Sequence, residues 1–512
     1  MLKKILLPII LLLITVSANS QSNNESTTST TPDSEKQFHE IKGVVQDMTT
    51  KEALPYTNIY VLHKNIGAIS NELGFFSINT TNLDKKDTLR FQYIGYQTKK
   101  ITVGELLQDT DVFLNEEIFN LNETIIFGNT LNAKSIVKNV IKNKDLNYKS
   151  TSSRKKAFIR ERYISDIVDI NLIYKKSSFA QLDKKLLKVL EEKVPRYSTS
   201  YTDFLGNLYF SDNEDDSLTF KVDPIRTVSL KEKDIAELEQ IQKIFENIFK
   251  ETNEEEYWKV KSGILSQKIE VEADTNNAKA DSLKENEKHT KYFNRRISYK
   301  FNYALLNDKD DWEFLYSTGK YNYTLVGGTR VNAEDVYIID FAPKSGGAFI
   351  GRMYISMSTY ALIRADYEYA PDKTGTDFHL FGVGYTENMF SGSIYFERHD
   401  STYRLKYFSK KAGSFATFDR NIALIKKRER FLFDKKIEEI KVGVEMSLNS
   451  EQSVEILILD DKEITHNEFA SFNEDEKMEI IYVDQFDDKL WQGFSIIEPT
   501  KKMREYKKRE EY

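Results

Sequence analysis

The chain has 512 residues, 73 Lys and Arg against 80 Asp and Glu, a formal charge of -7, and no cysteine. That length holds two or more domains. The missing cysteines exclude disulfides, thiolate metal sites, a cysteine nucleophile and a lipid-anchored cysteine, and the mild acidity gives no global pull toward nucleic acid.

Met1 to Ser20 reads as a secretory leader. Lys3-Lys4 is its basic start, Ile5 to Val16 its apolar core, and Ala18-Asn19-Ser20 the small residues before a cut at Gln21. An uncleaved anchor is the alternative, although the apolar run is short for a bilayer. After cleavage no membrane-spanning segment is expected. Residues 21–37 are rich in Ser, Thr and Asn, cannot bury apolar area, and are expected to be a disordered linker.

Residues 38–128 read as a string of short strands. Ile41 and Val45 bracket Gly43, and Asp47 opens a turn. Asn58 to Leu62 is β-branched and aromatic. Asn71-Glu72-Leu73-Gly74 turns the chain, and Gly74 can take positive φ. Phe76 and Ile78 share a face, as do Leu89, Phe91 and Tyr93. Asp111 to Leu114 and Glu123 to Phe127 complete roughly seven strands, a number that fits a two-sheet sandwich.

The run Gly43-Val44-Val45, Leu54-Pro55, Asn58-Ile59, Gly74-Phe75-Phe76 and Phe91-Gln92-Tyr93-Ile94-Gly95-Tyr96 resembles the carboxypeptidase regulatory-like domain. The resemblance implies a transthyretin-like β-sandwich, common in cell-envelope proteins of Bacteroidetes, that serves as an accessory module and carries no peptidase chemistry. Where the family often has Gly-Thr and Thr-Asp, this chain has Gly67-Ala68 and Ser70-Asn71.

Residues 129–512 are expected to form a larger α+β domain. Leu131 to Ile141 is an amphipathic helix, with Ala133, Ile136, Val137, Val140 and Ile141 on one face. Lys156 to Phe179 reads as a hairpin, from Phe158–Tyr163 and Ile167–Tyr174. Leu182 to Val194 and Ile235 to Phe249 have helical spacing, and Glu272 to Lys291 reads as a loop. Strands follow at Lys320–Val326, Asp335–Phe341, Phe349–Ile355, Ala361–Tyr369, Gly392–Glu397, Tyr403–Phe408 and Ile422–Ile425, an antiparallel meander on short turns. Residues Val336 to Tyr369 resemble the lipoprotein-carrier-type fold, which implies an incomplete barrel, or half-barrel, with helices over its open side. Trp491-Gln492-Gly493-Phe494 and Glu498-Pro499-Thr500 resemble the ends of Bacteroidetes envelope proteins. A transporter barrel of roughly 22 strands does not fit the remaining length. Charges such as those in Ile363-Arg364-Ala365-Asp366 are read as lying on both faces of a strand, which also opposes it.

Catalytic and metal chemistry find no support. The six histidines, His39, His63, His289, His379, His399 and His466, are scattered, and no His-Glu-x-x-His occurs. Asp212 to Asp216 lack the glycine of a calcium loop, with Ser217 at the sixth place, and read as a solvated loop. No Gly-x-Ser-x-Gly, Walker or dinucleotide motif occurs. No cofactor is expected.

Three functions remain, the last of them an enzyme of unrecognised type. One is a non-enzymatic protein of the periplasm or outer membrane that acts in binding or assembly with an envelope partner. Another is a carrier or sensor holding a lipid or other apolar ligand in the half-barrel, against Tyr337, Ile339, Phe341, Phe349, Met353 and Ile355. The bland alternative for those six is a filled core.

Overall fold

The computed structural model describes residues 40–506 apart from 65, 120–131, 150, 212–219, 231–254, 264, 270–292, 304, 332–333, 431–432 and 475–477. The leader, the linker, the strand expected at 123–127, the helix expected at 235–249, the acidic loop at 212–216 and the loop at 272–291 lie outside the described residues.

Residues 40–114 form seven strands: β1 (Glu40–Asp47), β2 (Asn58–Val61), β3 (Gly67–Ile69), β4 (Phe75–Asn79), β5 (Thr88–Gln92), β6 (Lys99–Thr102) and β7 (Asp111–Leu114). One sheet runs β4-β1-β7 and the other β3-β2-β5-β6. Period-two alternation buries Ile59, Val61, Phe76, Ile78, Leu89 and Phe91 between them. Phe76 of one sheet meets Phe91 of the other edge-on, with centroids 5.4 Å apart. Gly74 has φ +76, and a Cβ there would come 2.6 Å from the Val45 carbonyl, so the turn needs glycine. β3 and β6 were not expected from the sequence.

The remaining strands are β8 (Ser153–Ser177), β9 (Tyr197–Phe210), β10 (Phe220–Leu230), β11 (Glu256–Ser262), β12 (Leu265–Ile269), β13 (Tyr321–Val331), β14 (Glu334–Pro343), β15 (Phe349–Ser356), β16 (Leu362–Tyr369), β17 (Asp377–Leu380), β18 (Val383–His399), β19 (Thr402–Arg428), β20 (Lys435–Glu463) and β21 (Ile481–Val483). They make one sheet ordered β13-β14-β15-β16-β18-β19-β20-β8-β9-β10-β21, with β17 beside β18 and the β11-β12 hairpin beside β19. Pairing is antiparallel except between β10 and β21. The described sheet is open, because its first and last strands do not pair.

Two expectations are corrected. The hairpin at 156–179 is one strand of 25 residues, continuous because β20 and β9 pair along its two edges. Val168 is skipped in the register between Ile167 and Asp169, a bulge that the sequence imitates as a turn. The stretches at 403–408 and 422–425 likewise belong to a single 27-residue strand.

The sheet is covered on both faces. Helices α1 (Ala133–Lys142), begun by an Asn132 cap, and α2 (residues 293–303), with the segment 312–316, lie on one face. The sandwich and the C-terminal segment 491–504 lie on the other. There Tyr56 stacks on Tyr407, Phe158 packs edge-on against Trp491, and Arg364 sits over the ring of Tyr93. Alternation assigns Tyr407 to the sandwich face and Phe408, which packs on Tyr303, to the helical face. No helix among the described residues is long and apolar enough to cross a membrane.

Candidate binding site at the junction of the sandwich and the sheet

Residues directly opposite on neighbouring strands share a face. The register therefore lines up Asp340, Arg352, Asp366, Ser393, Ser409, Glu455, Arg160 and Asp203 in one row across eight strands. Two residues along, Glu368, Ser391, Lys411, Ser453, Arg162 and Tyr201 form a second row. Both rows face the sandwich side.

Much of this polar belt is tied down. Arg160 holds Asp203 through two nitrogens, at 2.8 and 2.7 Å, and donates a third hydrogen bond to the Ile497 carbonyl at 3.0 Å. Arg364 holds Asp366 in the same way, at 2.7 and 3.1 Å, and reaches the Tyr93 hydroxyl at 3.0 Å. Arg364 and Asp366 are two residues apart on one strand and lie on one face, which corrects the expectation that such charges occupy both. Ser393 donates to Asp366 at 2.6 Å.

The centre of the belt opens into a cavity of about 420 Å³. Its floor is the sheet, and Tyr56 and Glu72 of the sandwich and Thr500 and Met503 of the C-terminal segment complete its walls. Gly392 lies in the floor, and a Cβ there would come within 2.9 Å of the Tyr367 ring. The walls are fastened together: Asn71 receives Leu73 and Phe75 amides on Oδ1 and donates from Nδ2 to the Glu498 carbonyl at 3.1 Å. Arg504 pairs with Glu498 and Asp488. Tyr56 takes a left-handed φ of 62 to place its ring on Tyr407, 4.4 Å between centroids. Glu455 faces the cavity and accepts one hydrogen bond from the Tyr407 hydroxyl at 3.2 Å. Burial pushes its carboxyl up to about 7; the charges of Glu72 and Asp203 act the same way, while Arg160 and Tyr407 oppose them.

The six residues named from the sequence lie elsewhere. Tyr337, Ile339, Phe341, Phe349, Met353 and Ile355 all belong to the main core, none more than 8% exposed. Phe314 stacks on Phe341 at 4.3 Å and meets Phe349 edge-on at 6.1 Å, while Trp312 and Tyr303 fill the space beside them. None of the six lines the cavity. Sequence reading named no cavity residue as a site. The signal was available in the Arg160-Glu161-Arg162 stretch, where two arginines at period two put paired charge on one face. Among the described residues no three His, Asp or Glu side chains gather as metal ligands. His399 ends β18 beside Asp400, a turn residue with φ 53.

Fold and site together define a mainly β, α+β protein: a small sandwich set on a large open sheet, with a polar cavity between them. The sandwich has a closer identity, since residues 41–126 match the model of the CarboxypepD_reg-like domain. No curated protein matches the chain. Among solved structures, a LolA superfamily protein from Nitrosomonas europaea is similar at 9% identity over 66% of this chain and 98% of that one, with a TM-score of 0.16. The Pseudomonas aeruginosa MucA/MucB complex is similar at 10% identity over 61% and 93%, with a TM-score of 0.16. A DUF1329 family protein from Desulfovibrio piger is similar at 13% identity over 62% and 93%, with a TM-score of 0.17.

Proposed function

We propose that the protein is a non-enzymatic binding protein of the cell envelope, exported by its leader to the periplasm or the outer membrane. The accessory sandwich and the C-terminal segment hold a polar cavity against the sheet, and that cavity receives the ligand or partner. The carrying observation is the contrast between the two faces. The helical face is filled by Phe314, Trp312 and Tyr303, whereas the sandwich face leaves an open space lined by Arg162, Lys411, Glu455 and serine hydroxyls. Charged walls favour polar recognition and disfavour an acyl chain, whose burial there would leave polar groups without partners. The alternative, a lipid carrier using Tyr337, Ile339, Phe341, Phe349, Met353 and Ile355, requires the aromatic plug to withdraw.

Native mass spectrometry of the protein purified from its own envelope tests the reading. A co-purifying polar molecule or protein partner supports it, and a bound lipid overturns it in favour of the carrier.

A further inference from the structure

The junction cavity carries charge of both signs: Arg162 and Lys411 share one row with Glu368, and Glu455 shares the other with Arg160 and Asp366. Arg162 on β8 and Lys411 on β19 flank Ser453 of β20 from its two sides. Both reach the same carboxylate, Glu451, Arg162 through Nη2 and Lys411 at 3.5 Å. Two cations on one anion leave a surplus of positive charge. The Arg162 side chain is 10% exposed, and its Nε has no partner among the described residues.

Two residues along β20, on the same face, stands Glu455, and Glu72 of the sandwich comes in from above. Neither carboxylate has an ion pair among the described residues. The nearest guanidinium, Arg160, is already held by Asp203 and the Ile497 carbonyl. Diagonal positions such as Arg162 and Glu455 on adjacent strands are about 7–8 Å apart. A ligand that satisfies both ends therefore needs an anion and a cation separated by a few bonds.

We propose that the cavity binds a zwitterionic dipeptide, its carboxylate on Arg162 and Lys411 and its ammonium on Glu455 and Glu72. The assignment rests on the binding-protein reading and supplies its ligand class. Charge-assisted bonds to each end gain most in a shielded site. Competing chemistries are rejected by the same walls. A dianion would meet Glu455 and Glu72, a polyamine would meet Arg162 and Lys411, and an apolar group would leave both ends unpaired. The cavity, about 420 Å³, lies within the usual range for small-molecule sites.

Binding also has a pH signature. Glu455 is faced by Arg160 and Asp203 from β8 and β9, by Tyr407 from β19, and by Tyr56 and Glu72 from the sandwich, and its carboxyl sits at about 7. An incoming ammonium favours the ionised form, so the proton must leave on binding. Affinity then falls about tenfold per pH unit below pH ~7.

Isothermal titration of the full chain with L-alanyl-L-alanine, its N-acetyl form and its C-terminal amide decides the matter. Only the unblocked dipeptide is expected to bind, with the pH slope above. Glu455→Gln is expected to weaken binding and abolish the slope. Glu72→Gln, on an exposed turn outside the sheet, is expected to weaken binding about tenfold without affecting folding. Equal binding of either blocked form overturns the proposal. So does the absence of heat from all three; if native mass spectrometry then still recovers a polar ligand or a protein partner, the binding-protein reading survives alone, and if it recovers a lipid, both fall.

Discussion

Arg160 and Asp203 lie directly opposite each other on adjacent strands and are joined fork to fork, Nε to Oδ1 at 2.8 Å and Nη2 to Oδ2 at 2.7 Å, where they are only 5% and 1% exposed. Such a pair is held by geometry, because either partner alone would be a charge stranded away from water. Asp203→Ala is expected to cost about 3–5 kcal/mol in chemical denaturation. The joint change Arg160→Met with Asp203→Leu is expected to recover part of that loss, since neither member of the pair is then stranded, while the Ile497 carbonyl loses its donor.

The aromatic plug on the helical face gives a second test. Phe314 is fully buried and stacks on Phe341. Phe314→Ala is expected to lower stability by about 3–5 kcal/mol and to leave a hollow. Benzene, which matches a hollow the size of one ring, is expected to bind the variant and not the parent. Equal binding by the parent would show that the plug opens on its own.

Asn71 closes its own turn by accepting from the Leu73 and Phe75 amides and joins that turn to the C-terminal segment through one hydrogen bond, to the Glu498 carbonyl. Asn71→Ala strands two amides and the Glu498 carbonyl, at a cost of about 1–3 kcal/mol. Faster hydrogen exchange in both the 71–75 turn and the 496–503 segment is the expected readout.

At Gly74 the backbone has φ +76 and no room for a side chain. Gly74→Ala is expected to destabilise the chain by more than about 1 kcal/mol. A shift of the thermal midpoint without loss of the strand signal in circular dichroism would locate the effect in the turn.

The Glu455 carboxyl titrates at about 7 in the fold, against an ordinary value of 4.5. The folded state therefore holds a proton that the unfolded state has released between those values. Stability from this group is full below pH ~4.5, declines as pH rises toward 7, and stays reduced above it. Glu455→Gln removes the decline. Unfolding free energies of parent and variant at pH 5 and pH 8 are expected to differ in their pH dependence by on the order of 3 kcal/mol, with the variant favoured at the higher pH.

The sandwich was legible because its strands are buried on one side, so that Ile59 and Val61 or Phe76 and Ile78 announce the period directly. β6 was not, because Lys99-Lys100-Ile101-Thr102 is an edge strand, and edges carry charge that hides alternation. β14, β15 and β16 stood out for another reason: both of their faces are covered, so apolar residues run almost without a break through them. The middle of β19 did not: Ser409 and Lys411 look like a break, yet they are polar because their face opens onto the cavity. The feature that concealed the strand is the one that marks the site. Apolar residues directed attention to the helical face, and only cross-strand register, which no single segment contains, assembles the charged rows.

The pairing of β8 with β20 has a consequence for how the molecule is made. Synthesis delivers β8 early, and the strand that closes over one of its edges emerges only after most of the chain has followed. Until then a 25-residue ribbon waits with its backbone amides and carbonyls unclaimed on that side. Contacts so distant along the polymer form slowly, and an unclaimed ribbon of this length invites association between nascent copies. The newborn chain needs a holdase more than the finished one does.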